Sequence, residues 1–331
     1  AECAMIAGIT RYPSAYSPYL NFEKSNERKE LILGQMLEQG YITKSEYDEA
    51  INQEIKLSKV QREIETTYFS DMVIKDVIQT LVEKLGYTKD EAEIKLFNGG
   101  LKIIATIDTE MQNTIEETFK NEKLFPPSKE DENGILQPEA AVVVIENGTG
   151  EIKAILGGRS EKVRRGLNRA TQSLRQPGST IKPIGVYAPA LDNGYTAATV
   201  IDDAPVVYGN FKPRNYSRNF SGLVPLRYGL QQSLNIVAVK VVQDIGIQRS
   251  IDYLKKFGIT TIVTRDQNSV INDEGLGSVA LGGLTYGVKP IEMAAAYSVF
   301  PNKGIYAKPI SFTKILDKNN NVIYENKPVK E

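Results

Sequence analysis

The chain contains no histidine, a single cysteine and no long apolar run. Without histidine, no serine–histidine triad can be assembled from its own residues. With Cys3 alone, neither an intrachain disulfide nor a cysteine-based metal cluster can form, and the absence of both ligand types argues against a zinc site. Cys3 is expected as a small buried side chain rather than a reactive thiol. No stretch approaches the roughly 18 consecutive apolar residues that a membrane-crossing helix needs, and no signal peptide opens the chain. Charge of either sign is not in excess. Forty basic residues stand against 41 acidic ones, a net charge of −1, which argues against a general nucleic-acid binder. A natural start is missing too. Ala1-Glu2-Cys3-Ala4-Met5-Ile6-Ala7 reads as the middle of a helix, and Glu331 follows a strand-like pair and a charged tail. The chain is therefore expected to be a piece of a longer protein, without an anchor and without some catalytic parts.

What is present suits a globular protein of two or three domains: 331 residues, 41% hydrophobic and 24% charged. Residues 1–57 read as helices, with Glu27–Gln39 at helical spacing and a capping box at Thr43-Lys44-Ser45-Glu46. Residues 56–65 read as a linker or helix extension. Phe69, Met72, Val73, Val77 and Leu81 then define an amphipathic helix ending near Gly86. Thr88-Lys89-Asp90-Glu91 is a second capping box. Leu101–Ile107 reads as a strand, and Asp108 as the cap of a helix reaching about Asn121. Pro126, Pro127 and Pro138 punctuate a polar stretch that suggests a domain boundary. Ala140–Glu146 and Glu151–Leu156 flank Asn147-Gly148-Thr149-Gly150 as a hairpin. A second hairpin is expected around Asp317–Asn321.

The chemistry is concentrated in Gln176-Pro177-Gly178-Ser179-Thr180-Ile181-Lys182-Pro183. Pro177 and Gly178 are turn residues, and they deliver a serine followed three positions later by a lysine. On a helix, residues three apart share a face, so Lys182 can approach Ser179. A serine hydroxyl attacks poorly until a base takes its proton. In a chain without histidine, a lysine neutral enough to accept a proton is the base left at helical spacing. Lys162, Arg164, Arg165, Arg169 and Arg175 lie nearby in sequence and would disfavour a protonated Lys182. The same spacing equally describes a serine cap with a solvated lysine. The helix from Ser179 is expected to bend or end at Pro189. Ser233 and Asn235 lie two apart, so they can point into one site only if the helix breaks there. Leu281–Gly287 is glycine-rich, a weak candidate for a phosphate loop because no Lys-Ser or Lys-Thr follows.

Taken together, these segments resemble the class A penicillin-binding proteins, the bifunctional peptidoglycan synthases of bacteria, over essentially the whole chain. Arg175–Pro183 resembles the family's Ser-x-x-Lys box and Ser233-Leu234-Asn235 its Ser-x-Asn box. Asn168-Arg169-Ala170-Thr171, the segment Gly99–Ile103 with Thr106-Ile107-Asp108, and Ala280–Val288 are similar to other family stretches. Glu27-Arg28-Lys29 with Met36 resembles the last box of the glycosyltransferase domain, with Lys29 where an arginine is usual. The resemblance implies an α+β fold in three parts. Residues 1–57 would be the helical C-terminal tail of a peptidoglycan glycosyltransferase domain, and 58–135 a small α/β linker or pedestal. Residues 136–331 would be the N-terminal part of an incomplete serine transpeptidase domain, β-lactamase-like, with an antiparallel sheet and helices.

The implied activity is D,D-transpeptidation. Ser179 would attack the D-Ala-D-Ala bond of a stem peptide, with Lys182 as base. Ser233 would relay a proton to the leaving group, and Asn235 would bind the substrate amide. The Ser179 N–H would supply half of an oxyanion hole. β-Lactams would acylate the same serine. The resemblance implies no cofactor or metal for this part. Its partners would be stem peptides and β-lactams, with lipid II and other cell-wall synthesis proteins for the whole protein, and no nucleic acid. The location would be the outer face of the bacterial cytoplasmic membrane, through an N-terminal anchoring helix. The glycosyltransferase glutamates are expected upstream of Ala1. The third transpeptidase box, Lys-Thr-Gly or Lys-Ser-Gly, is absent from the sequence and is expected beyond Glu331, so the chain alone is expected to acylate poorly. Three other readings fit parts of the chain. A serine β-lactamase shares the Ser-x-x-Lys logic, but the long segment before Ala140 argues against it. A non-catalytic module could use 58–135 to bind partners, against which stand the four intact site residues. A Ser-Lys protease is disfavoured by the Ser-x-Asn box.

Overall fold

The computed structural model describes residues 1–57, 67–132, 135–159, 166–327 and 329–330. The linker expected at 56–65 therefore falls almost entirely outside the described residues, and so do Lys162, Arg164 and Arg165. The chain divides into two compact units, Ala1–Glu65 and Thr66–Glu331.

The first unit is helical: α1 (Glu2–Ile9), α2 (Pro13–Tyr16), α3 (Phe22–Glu38) and α4 (Lys44–Asn52). Helix α3 starts earlier than the apolar spacing suggested, because Asn21 caps it by accepting from Lys24 N at 3.2 Å. The Thr43–Glu46 capping box forms as expected, with Thr43 N donating to Glu46 Oε2 at 2.7 Å. Cys3 is exposed, contrary to expectation. Helix α1 buries Ala4, Met5 and Gly8, and Cys3 lies off that face.

The second unit holds two apolar clusters. The chain first forms α5 (Tyr68–Leu85), α6 (Lys89–Asn98), β1 (Lys102–Ala105), α7 (Thr109–Lys120), a small ribbon of β2 (Lys129–Glu130) and β3 (Leu136–Gln137), and the hairpin of β4 (Val142–Ile145) with β5 (Ile152–Leu156). The first cluster draws on α5, α6, β1 and this hairpin, joined by Ala170, Phe312 and Ile315 from later in the chain. Helix α5 buries Phe69, Met72, Val73, Val77 and Leu81, the stripe that the spacing marked, and ends at Gly86 in the left-handed conformation. Asp108 caps α7 by accepting from Glu110 N and Met111 N, each at 3.0 Å. From α7, Gln112 reaches the hairpin: its Oε1 accepts from Ile155 N at 2.9 Å and its Nε2 donates to Ile155 O at 3.1 Å. That buried amide pair satisfies a strand edge as a neighbouring strand would.

The rest of the unit comprises α8 (Arg169–Gln172), the helix that follows Gly178 and ends as α9 (Ala188–Asp192), β6 (Val200–Asp203), β7 (Gly222–Pro225), α10 (Leu226–Gln231), α11 (Asn235–Ile245), α12 (Ile247–Lys256), α13 (Leu276–Leu281), α14 (Pro290–Tyr297), β8 (Phe312–Leu316) and β9 (Val322–Glu325). Strand β1 pairs antiparallel with β8, and β8 with β9, giving a three-stranded sheet in the order β1-β8-β9. The strand expected inside the linker is thus completed by a hairpin from the far end of the chain. Helix α11 is the central post of the second cluster. Ile236, Val237, Ala238, Val239, Val241 and Val242 are all buried, which explains an apolar run without helical alternation. Burial of each Val or Ile is worth about 1.5–3 kcal/mol. Pro189 does not end the helix after Ser179, which continues to Asp192. The winding passes from 3₁₀ at Gly178–Ile181 through a π turn at Pro183–Tyr187, so Pro189 falls in the first turn of α9, where its missing N–H costs little.

Candidate active site

Ser179 sits on a turn that a second loop holds from outside. Arg175 N donates to Val288 O at 3.0 Å and Val288 N returns to Arg175 O at 2.9 Å. The Gln176 side chain makes a pair with the backbone of Leu284, accepting from its N–H at 2.7 Å and donating to its carbonyl at 2.5 Å. Tyr297 Oη donates to Thr180 O at 2.6 Å. Gly282 lies so close that an added Cβ would stand 2.2 Å from Gly178 O, and its φ of +76° favours glycine independently. The glycine-rich Leu281–Gly287 stretch is therefore a clasp on the serine turn, and the phosphate-loop reading is withdrawn. The turn leaves Ser179 exposed at the start of its helix.

Lys182 follows on the same helix, flanked by buried Ile181 and Ile184, and is itself only 1% exposed. Its Nζ donates to Ser233 O at 2.7 Å, to Ser233 Oγ at 3.1 Å and to Asn235 Oδ1 at 2.7 Å. Among the described residues no carboxylate pairs with it. Burial lowers its pKa from 10.5 to about 8. Of the cations expected to contribute, Lys162, Arg164 and Arg165 lie outside the described residues, and Arg169 is paired with Glu139 at 3.6 Å. Among the described residues the cause is desolvation, since an ammonium without a counter-ion is disfavoured away from water.

The three partners of the amine also fit both of its protonation states. Ser233 O and Asn235 Oδ1 can only accept, so they suit two N–H bonds. The Ser233 hydroxyl can accept from the ammonium or donate to the lone pair of the amine. Lys182 was expected to reach both serines. It reaches Ser233, while no hydrogen bond to the Ser179 hydroxyl forms.

Ser233 and Asn235 converge because the helix breaks between α10 and α11, as their spacing required. Ser233 adopts φ +51°, unusual for a residue other than glycine. Ser233 N donates to Leu230 O at 2.9 Å and Leu234 N to Gly229 O at 2.8 Å, closing the turn. Gly229 permits the close approach of the two helices, since a Cβ there would lie 2.6 Å from Val237 Cγ1. Asn235 Nδ2 donates to Arg214 O at 2.8 Å, which uses one of its two N–H bonds and leaves the other for a ligand. A cavity of about 460 Å³ beside α5, lined by Met72, Asp76, Ile152 and Asn168, holds none of these four residues.

Sequence reading did not find Asn215 and Asp203, both buried beside this turn. Asp203 ends β6 and Asn215 lies on the loop that leads from β6 to β7, so the two meet only when these strands pair, and no local spacing marks them.

The family described as "Penicillin binding protein transpeptidase domain" matches residues 140–331. The chain is 37% identical to penicillin-binding protein 1A of Clostridium acetobutylicum, over 98% of this chain and 42% of that protein. It is 34% identical to penicillin-binding protein 1A of Clostridium tetani, over 98% of this chain and 44% of that protein. It thus spans less than half the length of these relatives. The crystal structure of penicillin-binding protein 1A from Haemophilus influenzae superposes with a TM-score of 0.68 at 25% identity, covering 99% of this chain and 59% of that one. With a serine turn, a buried lysine and a broken-helix Ser-x-Asn turn inside the matched segment, the chain belongs to the penicillin-binding proteins and carries their transpeptidase domain.

Proposed function

We propose that this chain is the part of a class A penicillin-binding protein that cross-links peptidoglycan, with Ser179 as nucleophile, Lys182 as base, Ser233 as proton relay and Asn235 as substrate ligand. The observation that carries the proposal is the buried Lys182 amine, with its pKa near 8 and its bonds to Ser233 and Asn235. An amine in that state can take a proton near neutral pH and pass it on.

The reaction runs in two steps. Ser179 Oγ attacks the carbonyl of the penultimate D-Ala of a stem peptide and gives its proton to neutral Lys182. Hydrogen bonds between catalytic groups tighten when substrate binds, which closes the gap between Ser179 and Lys182. The Oγ–C ester forms, the C–N bond breaks, and the proton leaves through Ser233 to the amine of the departing D-Ala. An acceptor amine of a second stem peptide then attacks the ester, loses a proton to the same relay, and restores the Ser179 hydroxyl. The Ser179 N–H, at the start of its helix, faces the developing oxyanion. β-Lactams enter at the first step and stay on the serine. The longer protein would also polymerise glycan from lipid II through the domain that residues 1–57 close, and would stand at the outer face of the cytoplasmic membrane. No metal or cofactor is assigned to the transpeptidase step.

In the longer protein that carries this chain, stem pentapeptides with an acceptor amine should yield cross-linked product and free D-Ala in equal amounts. Release of D-Ala without cross-linking, together with rapid turnover of penicillin, would instead favour a β-lactamase-like hydrolase.

Ser233→Gly separates the relay from the fold. Glycine relieves the φ of +51° at that position but is more disordered when unfolded, terms of about 1 kcal/mol that nearly cancel. Thermal stability should change little, while acylation by penicillin falls about 100-fold. A stable variant that acylates at the parental rate would remove Ser233 from the mechanism.

A further inference from the structure

Helix α11 begins at Asn235, inside the site, and this creates a structural problem. A helix start leaves N–H groups without partners, and a Ser, Asn or Asp at the cap position usually takes one. The cap position here is Leu234, which can take none. The acceptors Ser233 Oγ and Asn235 Oδ1 both take hydrogen bonds from Lys182.

Asn215 supplies the missing cap from another loop. Its Oδ1 accepts from Asn235 N at 2.8 Å and from Ile236 N at 3.2 Å. Its Nδ2 is held in turn by both oxygens of Asp203, at 2.9 and 3.0 Å, and by Asn219 O at 3.0 Å. Asp203 also accepts from Ser221 N at 2.8 Å, so it ties the loop between β6 and β7 shut. Asn215 is 4% exposed and Asp203 fully buried. Next to Asn215, the Arg214 carbonyl accepts from Asn235 Nδ2. A continuous set of hydrogen bonds therefore runs from Asp203 through Asn215 to the backbone of Asn235, and from the Asn235 side chain to Lys182.

We infer that Asn215, fixed by Asp203, is a positioning residue for acyl transfer: it sets the Ser233–Asn235 turn and so the place of the Lys182 amine. The inference rests on the acyl-transfer reading above. Asn215 touches neither substrate nor reacting atoms. It acts by preventing the first turn of α11 from fraying. Without it, Asn235 loses its fixed approach to Lys182, and the amine gains water.

The test uses the longer protein in four forms: parental, Asn215→Ala, Asp203→Asn, and Leu81→Ala as a destabilised control in the other cluster. Acylation by a fluorescent penicillin is followed from pH 6 to 10, together with melting temperature and amide exchange over residues 232–238. Misplacement of a catalytic group by about 1 Å can cost about 100-fold. Asn215→Ala is expected to slow acylation 10- to 100-fold per folded molecule, move the pH midpoint upward, and speed exchange at 232–238. Asp203→Asn, which keeps one acceptor for Asn215, should show a smaller loss in the same direction. Leu81→Ala should lower the melting temperature with rate and midpoint unchanged. If Asn215→Ala behaves like Leu81→Ala, the residue is merely structural and the inference is overturned. A parental protein that takes no label would overturn the acyl-transfer reading instead, and exchange at 232–238 would still decide whether Asn215 holds the turn.

Discussion

Replacing Ser179 with alanine is expected to abolish covalent labelling by a fluorescent penicillin in the longer protein that carries this chain. Loss of a serine nucleophile in acyl transfer costs on the order of 10⁶-fold, well below what a gel can register. The fold should survive. Ser179 is exposed, and its turn is held by Gln176, Arg175 and Tyr297 rather than by its own hydroxyl. The melting temperature of Ser179→Ala should therefore stay close to the parental value. Labelling of Ser179→Ala at parental strength would mean that another residue is the nucleophile.

Lys182→Arg is expected to slow acylation about 1000-fold, within the usual contribution of a positioned base. Arginine keeps the charge but cannot deprotonate near neutral pH, and its planar fork does not fit three convergent acceptors. In the parental protein the acylation rate should rise with pH around a midpoint near 8, where the amine becomes neutral. A rate that falls across that range would show that the ammonium is the working form. The same shift acts on stability. The folded-state pKa lies below the unfolded value of 10.5, so between the two the unfolded chain binds more protons. Stability should then rise with pH from about 8 towards 10.5, and below 8 the buried charge counts fully against the fold. Lys182→Met should lack this rise, which a series of melting curves across that range would detect.

The legible parts of the fold were those whose cause is local. Capping boxes at Thr43 and Thr88, the Asp108 cap, the α5 stripe and the β4–β5 hairpin each follow from residues within one turn of one another. The break between Ser233 and Asn235 was also legible, since only a broken helix lets both point one way. What the sequence concealed depends on distant partners. Strand β1 is completed by β8 from the other end of the chain. The glycine-rich loop has its purpose only against the serine turn, at Gly178. Asn215 and Asp203 meet only after β6 and β7 pair. The basic residues near Ser179 in sequence suggested an electrostatic lowering of the Lys182 pKa, whereas the burial that lowers it comes from packing that no local spacing shows. Cys3 was misread because a seven-residue helical pattern does not say which face meets the rest of the unit.

The central claim is that Ser179 carries the acyl group. Its most direct measurement is peptide mapping by mass spectrometry after the longer protein has reacted with penicillin. Trypsin should release Gln176–Arg214 as one peptide, because Lys182 and Lys212 each precede proline. That peptide is expected to carry the mass of one penicillin, with fragmentation placing it on Ser179. A penicillin adduct on the peptide containing Ser233, or on any residue other than Ser179, would contradict the account.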